Sequence, residues 1–279
     1  MNDVKKLQDI AAQVRRDIIR MIFASQSGHP GGSLGCADFM TTLYFSVMNA
    51  SPQTFTTDGK GQDMFFLSNG HIAPVWYSVL ARAGYFDVKE LGYLRKLHSN
   101  LQGHPTNYTK GVRIASGSLG QGLSVACGAA LAKKMDNDTN LVFTLHGDGE
   151  LQEGQIWEAA MFAAAKKIDN LIATVDYNGQ QIDGAVEDVL SLGDLPAKFI
   201  AFGWKLIQLD GNNIPALLDG FAHAKSLTGK GKPIVIIMKT EMGQGVDFMM
   251  GTHKWHGKAP NYEQYQQALA QLPETLGDY

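Results

Sequence analysis

Two side chains in this sequence, Asp148 and Asn178, have the types and the spacing to hold a hard divalent cation. Asp148 follows the apolar run Leu141–Leu145 (LVFTL), and Asn178 follows Leu171–Val175 (LIATV), 30 residues further on from 148 to 178. That separation fits one strand–helix–strand crossover, which brings both side chains to the same edge of a parallel sheet. One carboxylate and one amide carbonyl, with the other positions open, suit Mg²⁺ whose octahedron is completed by phosphate oxygens. Flanking glycines let a diphosphate approach the backbone closely. Histidines 29, 71, 104 and 256 each stand beside Gly or Pro, in loops or at helix starts where a side chain can reach a ligand. Taken singly, Asp148-Gly149 and Asn178-Gly179 also read as ordinary turns.

These residues need a frame, and the hydrophobic pattern supplies one. The first 25 residues repeat Leu7, Ile10, Val14, Ile18 and Ile22 at helical spacing, and Pro30-Gly31-Gly32 forbids the helix from continuing. Helices are expected near 37–47, 71–83, 156–166 and 214–227. Short apolar runs at 64–67, 141–145, 171–175, 205–209 and 234–238 read as buried strands. The alternation predicts an α/β fold of one domain spanning 1–279, a doubly wound parallel sheet with helices on both faces and ligands at the strands' C-terminal ends.

Composition narrows the function. The chain has 279 residues, 24 Lys+Arg against 27 Asp+Glu, and a net charge of -3, which gives no electrostatic footprint for nucleic acid. No apolar run approaches the length of a membrane span, and the mean hydropathy is -0.13. The charged first residues show no signal peptide, so a cytoplasmic location is expected. Two cysteines, Cys36 and Cys127, make neither a disulfide framework nor a zinc site.

Six segments together resemble transketolases, in order along almost the whole chain. They are Ser27-Gly28-His29-Pro30-Gly31-Gly32, Ser68-Asn69-Gly70-His71, Gly103-His104-Pro105, 117–122, 147–154 and 256–260. Transketolases are normally more than twice this length, so the resemblance is to their diphosphate-binding domain, and to the separately encoded N-terminal subunits of split transketolases. Ser33 and Ser118, where long-chain members usually carry proline, point the same way. The resemblance implies a thiamine diphosphate-binding fold with Asp148, Asn178 and the carbonyl of Gln180 on Mg²⁺. It implies that Ile182 lies under the thiazolium ring, that Gly117, Leu119 and Gly149 contact the cofactor, and that His71 and His256 donate to the diphosphate. His29, His71, His104 and His256 would converge where substrate is attacked. Glu153 and Glu158 resemble two acids that link paired active sites across a dimer, and Glu153 is also expected among the catalytic and cofactor-binding residues. The implied reaction moves a two-carbon glycolaldehyde unit from a ketose phosphate to an aldose phosphate. Its remaining groups would come from a C-terminal, pyrimidine-binding subunit in an α2β2 heterotetramer.

Two alternatives stay open: the α-subunit of a thiamine-dependent 2-oxo-acid dehydrogenase, and a non-catalytic thiamine diphosphate-binding subunit. Deoxyxylulose-phosphate synthases share the transfer logic, but their chains normally carry all domains. Gly31-Gly32-Ser33-Leu34-Gly35 matches a nucleophile elbow only formally, since a helix precedes it. The glycines from 117 to 122 have the wrong spacing for a dinucleotide fingerprint, yet the helix start they form is expected to receive the diphosphate. Asn213 is expected to cap a helix. His98, His146, His223 and His253 are read as structural, the 151–164 stripe as mostly core, and Lys5, Lys6, Arg15 and Arg16 as a solvated face. The segment 248–255 could form a mobile loop over the cofactor.

Overall fold

The computed structural model describes residues 3–279. Five parallel strands form the central sheet: β1 (Met64–Leu67), β2 (Val142–Gly147), β3 (Leu171–Tyr177), β4 (Lys205–Asp210) and β5 (Ile234–Lys239), in the order β1-β2-β3-β5-β4. Four of them are buried along nearly their whole length, which explains their unbroken apolar runs. β4, at the sheet edge, alternates more.

Successive side chains of each strand enter opposite cores. Phe65, Phe143, Leu145, Ile172, Ile234 and Ile236 face one; Phe66, Val142, Ala173, Val175, Val235 and Ile237 face the other. The first core is covered by α1 (Val4–Ser25), α3 (Ala37–Thr42), α4 (Ala73–Arg82) and α9 (Ile214–Leu227). The second is covered by α5 (Gln121–Met135), α6 (Gly154–Ala165), the short α7 (Val186–Leu190) and α8 (Leu195–Ala201). Steps from β1 to β2, β2 to β3 and β3 to β4 run one way across the sheet with α5, α6 and α8 on one face. The step from β4 to β5 runs back, and its helix α9 lies on the other face, as right-handed crossovers require. Helix α1 buries Val14, Ile18, Ile19 and Ile22 completely, each contributing roughly 1.5–3 kcal/mol.

The chain leaving β1 turns into α4 on one face, while the chain leaving β2 turns into α6 on the other. This divergence opens a crevice at the strand tips. The register pairs Gly147 with Asp176, so Asp148 and Asn178 leave neighbouring tips.

Four expectations need correction. Pro30-Gly31-Gly32 does not only stop α1, which ends at Ser25 with Gln26 left-handed; Pro30 also opens a further short helix, α2 (Pro30–Gly35). Proline is pre-organised for a first helical position, where its missing N–H costs nothing. Arg15 and Arg16 are not on a solvated face. Arg15 is buried and paired with Asp38, while Arg16 holds Asp278 (2.7 Å) and the Leu269 and Leu272 carbonyls. The 248–255 segment packs inward, with Met249 and Trp255 in the first core and the Trp255 indole donating to the Phe248 carbonyl (2.9 Å). His223 is exposed on α9, whereas Asn213 does cap that helix through Ala216 N–H (3.1 Å). Helix α10 (Tyr262–Gln271) closes over α1 behind a capping box at Asn261.

Candidate active site

A cavity of about 260 Å³ opens at the C-terminal tips of β1, β2 and β3. His29, His71, His104, Gly117, Leu119, Asp148, Gly149, Asn178, Gln180, Ile182 and His256 all line it. Glu153 does not: it is exposed at the N-cap of α6, and Glu158 is exposed one turn on.

The acidic floor is built by the strand tips. Asp148 is 1% exposed, and its carboxylate accepts the N–H groups of Gly149 (2.8 Å) and, from the next strand tip, Gly179 (2.6 Å). Burial pushes its pKa up to about 7, reinforced by the neighbouring Asp176 and opposed by those backbone donors. Asn178 donates its amide N–H to Asp176 Oδ2 (2.9 Å), while its Oδ1 accepts the Gln180 N–H (2.9 Å). A carbonyl oxygen has two acceptor sites, so one remains on Asn178 Oδ1. Among the described residues no group of three or more His, Cys, Asp or Glu side chains can enclose a metal. A cation here would therefore be held by few protein ligands, in the manner of Mg²⁺ that keeps phosphate and water oxygens.

A further wall of the cavity is imidazole. His29, His71 and His256 form a triangle, with ring centroids 5.1 Å apart for 29–71, 5.6 Å for 29–256 and 5.1 Å for 71–256. His29 caps α2, His71 lies in the turn Gly70–Ile72 before α4, and His256 follows the turn His253–Trp255. Burial lowers the proton affinity of all three, and for His29 and His71 the other histidines add to it. His29 falls to about 4. His104, more exposed, is lowered by partial burial and by Arg95. The four rings are thus neutral near pH 7, each able to donate one N–H and accept at the other nitrogen. Gly117 admits His104 to this wall: its φ is +128°, and a Cβ there would stand 2.6 Å from the imidazole.

Nδ1 of His29, Nδ1 of His256 and Oδ1 of Asn69 are buried without a protein partner. Orphaned polar atoms around a floor with spare carboxylate and amide oxygens fit an anionic, metal-bound group. They suit thiamine diphosphate with a divalent cation.

Sequence reasoning missed Glu150. Its carboxylate, 2% exposed, accepts the Ser68 hydroxyl, Gly120 N–H (2.8 Å) and Gly147 N–H (3.1 Å), with His146 Nδ1 3.8 Å away. Burial alone would raise its pKa, but His146, Ser68 and Gly120 together hold it below the usual range. Ser68 Oγ also accepts Gly122 N–H (3.1 Å). The N-terminus of α5 does receive an anion, the chain's own Glu150, through the Gly120 N–H. Asn69, part of the Ser68–His71 segment but with no role expected from it, and Met242, which no local pattern marks, line the cavity too.

Residues 7–274 match the family model described as the transketolase, thiamine diphosphate binding domain. The chain is 35% identical over 273 residues to one of the subunits of the apulose-4-phosphate transketolase from Phocaeicola vulgatus, covering 98% of this chain and 96% of that one. It is 38% identical over 267 residues to a 6-deoxy-6-sulfo-D-fructose transketolase subunit of Clostridium sp., covering 95% and 96%. Among solved structures, the transketolase of Campylobacter jejuni superposes with a TM-score of 0.88 at 33% identity, over 98% of this chain and 43% of that one. The Leishmania mexicana transketolase gives 0.88 at 29%, over 95% and 41%. The chain therefore spans about two fifths of the solved transketolases it matches. On this fold, this cavity and these matches, the chain belongs to the transketolase family, as a thiamine diphosphate-binding domain.

Proposed function

We propose that this chain is the diphosphate-binding subunit of a two-component transketolase. It would move a glycolaldehyde unit from a ketose phosphate to an aldose phosphate together with a separate pyrimidine-binding subunit, in an α2β2 assembly. The observation that carries this reading is the gathering around one cavity of neutral His29, His71 and His256 with Asp148 and Asn178. Relatives matched over 96% of their own length and named as transketolase subunits support the two-component form.

Asp148, the Asn178 amide oxygen and the Gln180 carbonyl would hold Mg²⁺, and Ile182, 61% exposed at the cavity lip, would meet the thiazolium ring. When bound, thiamine diphosphate supplies the electron sink for breaking and remaking the sugar's carbon–carbon bond. His29, His71, His104 and His256 would orient sugar hydroxyls and donate N–H groups to oxygen as it gains charge. They suit this because they are uncharged before the reaction and cost little reorganisation. The half-buried imidazoles also exclude water from the reacting face.

The test is reconstitution. The purified chain with thiamine diphosphate and Mg²⁺ should give no transfer between sugar phosphates in a coupled assay, and addition of its separately expressed partner should give turnover. Turnover by the chain alone, or decarboxylation of a 2-oxo acid by the mixture, would overturn the proposal.

A further inference from the structure

Asp176 lies beneath the acidic floor and has no place in the reaction just described. It is the sixth residue of β3, 2% exposed, on the strand face shared with Ile172 and Thr174. One carboxylate oxygen accepts the hydroxyl of Thr240, just past β5. The other accepts the Asn178 side-chain N–H at 2.9 Å. The thiol of Cys36, fully buried between α2 and α3, lies close to it. A buried carboxylate with both oxygens engaged by donors is a fixed object, and Asn178 is tied to it.

An amide has two ends of similar shape and opposite chemistry: the oxygen accepts, and the nitrogen cannot ligate a cation. Two neighbours decide which end of Asn178 faces Asp148. The ionised Asp176 carboxylate can only accept, so it takes the nitrogen, and the Gln180 N–H can only donate, so it takes the oxygen. We infer that Asp176 is a positioning residue, which holds the Asn178 amide so that its oxygen is turned toward the cation beside Asp148, with Thr240 keeping the carboxylate in place. The inference rests on the proposal that Asp148 and Asn178 hold a divalent ion.

The test is a donor–acceptor exchange, read as divalent-ion affinity of the full chain with thiamine diphosphate, by Mn²⁺ paramagnetic resonance and by titration calorimetry. Asp176→Asn leaves the Asn178 amide free to sit either way round, and affinity should fall about tenfold, the scale for losing an outer-sphere partner of a metal ligand. Asn178→Asp separates the possibilities by sign. If Asp176 faces residue 178, a second carboxylate there is repelled and Mn²⁺ binding weakens; if it does not, the extra charge tightens binding. The double variant D176N/N178D restores a donor–acceptor pair and should return the affinity to within about threefold of the original. Tighter binding by N178D, unchanged binding by D176N, or a double variant no better than D176N would overturn the inference. Should D176N fail to fold, N178D still decides. Asp148→Ala is the control on the underlying proposal: Mn²⁺ binding retained there sinks the metal assignment and this inference with it. Loss in D148A with no loss in D176N sinks the inference alone.

Discussion

Replacing Glu150 by Gln tests whether the site is held together by a buried anion. The change keeps the shape and removes one acceptor. Oε1 can still take the Ser68 hydroxyl and Gly120 N–H, but the new amide nitrogen faces the N–H of Gly147, donor against donor. A hydrogen bond to a charged group contributes about 1.5–3 kcal/mol. The lost charge at the start of the 15-residue helix α5 adds about 0.3–1 kcal/mol. Together the cost is about 2–4 kcal/mol. At about 2–4 °C per kcal/mol for a chain of this size, the midpoint should drop by about 5–15 °C. Urea unfolding with and without cofactor reads it directly. The pH dependence has a defined sign. Because the folded Glu150 pKa is lowered, its contribution is complete above the unfolded value of 4.5 and is lost as pH falls through the folded one. The gap between native chain and variant should therefore be widest near neutrality and narrow below that value. A variant within about 0.5 kcal/mol of the native chain at pH 7 would refute the assignment.

Gly122→Ala should destabilise the fold by about 1–3 kcal/mol, read as a lowered melting midpoint. Its Cβ would stand 2.4 Å from Ser68 Oγ and 2.8 Å from Ser68 Cα, and the latter cannot yield without moving the end of β1. His29 should titrate near pH 4 in the folded chain by NMR, and a midpoint at or above the ordinary 6.5 would contradict its burial among imidazoles. Since His29, His71, His104 and His256 all have lowered values, acid should begin to destabilise the chain as the unfolded histidines protonate near 6.5, with the loss continuing toward about 4.

The parallel sheet was readable because each core strand is a short apolar run followed by Gly, Asp or Asn, signals that lie within ten residues of one another. Asp148 and Asn178 were readable for the same reason: their neighbourhood follows from one crossover. The clasp at Glu150 was not. Its partners at 68 and 120 come from other elements, and nothing local distinguishes it from Glu153, which stands exposed three residues later. Arg15 and Arg16 fall on the buried side of α1 because Asp38 and Asp278, far along the chain, fold back to meet them. Helical periodicity records apolar faces and has no means of recording such a pair.

The charge of the cavity bears on what can enter it. Its lining includes Asp148, Glu150 and Asp176, and no Lys or Arg is among the described residues that line it. Arg95, whose charge reaches His29 and His104, is held by Ser27 Oγ (2.8 Å) and the Gly103 carbonyl (3.4 Å). A diphosphate tail meets repulsion from Glu150, which is held charged, and from Asp148 to the extent that it ionises with a pKa lifted to about 7, and neutral imidazoles and backbone N–H groups offset this only weakly. A divalent cation removes that repulsion and supplies the missing attraction, so cofactor affinity in the proposed enzyme should depend steeply on the ion. The same reasoning applies to the sugar phosphate of the proposed reaction. With no Lys or Arg among the described lining residues to grip it, that grip would fall to the proposed second subunit, which would cover the exposed lip at Leu119 and Ile182.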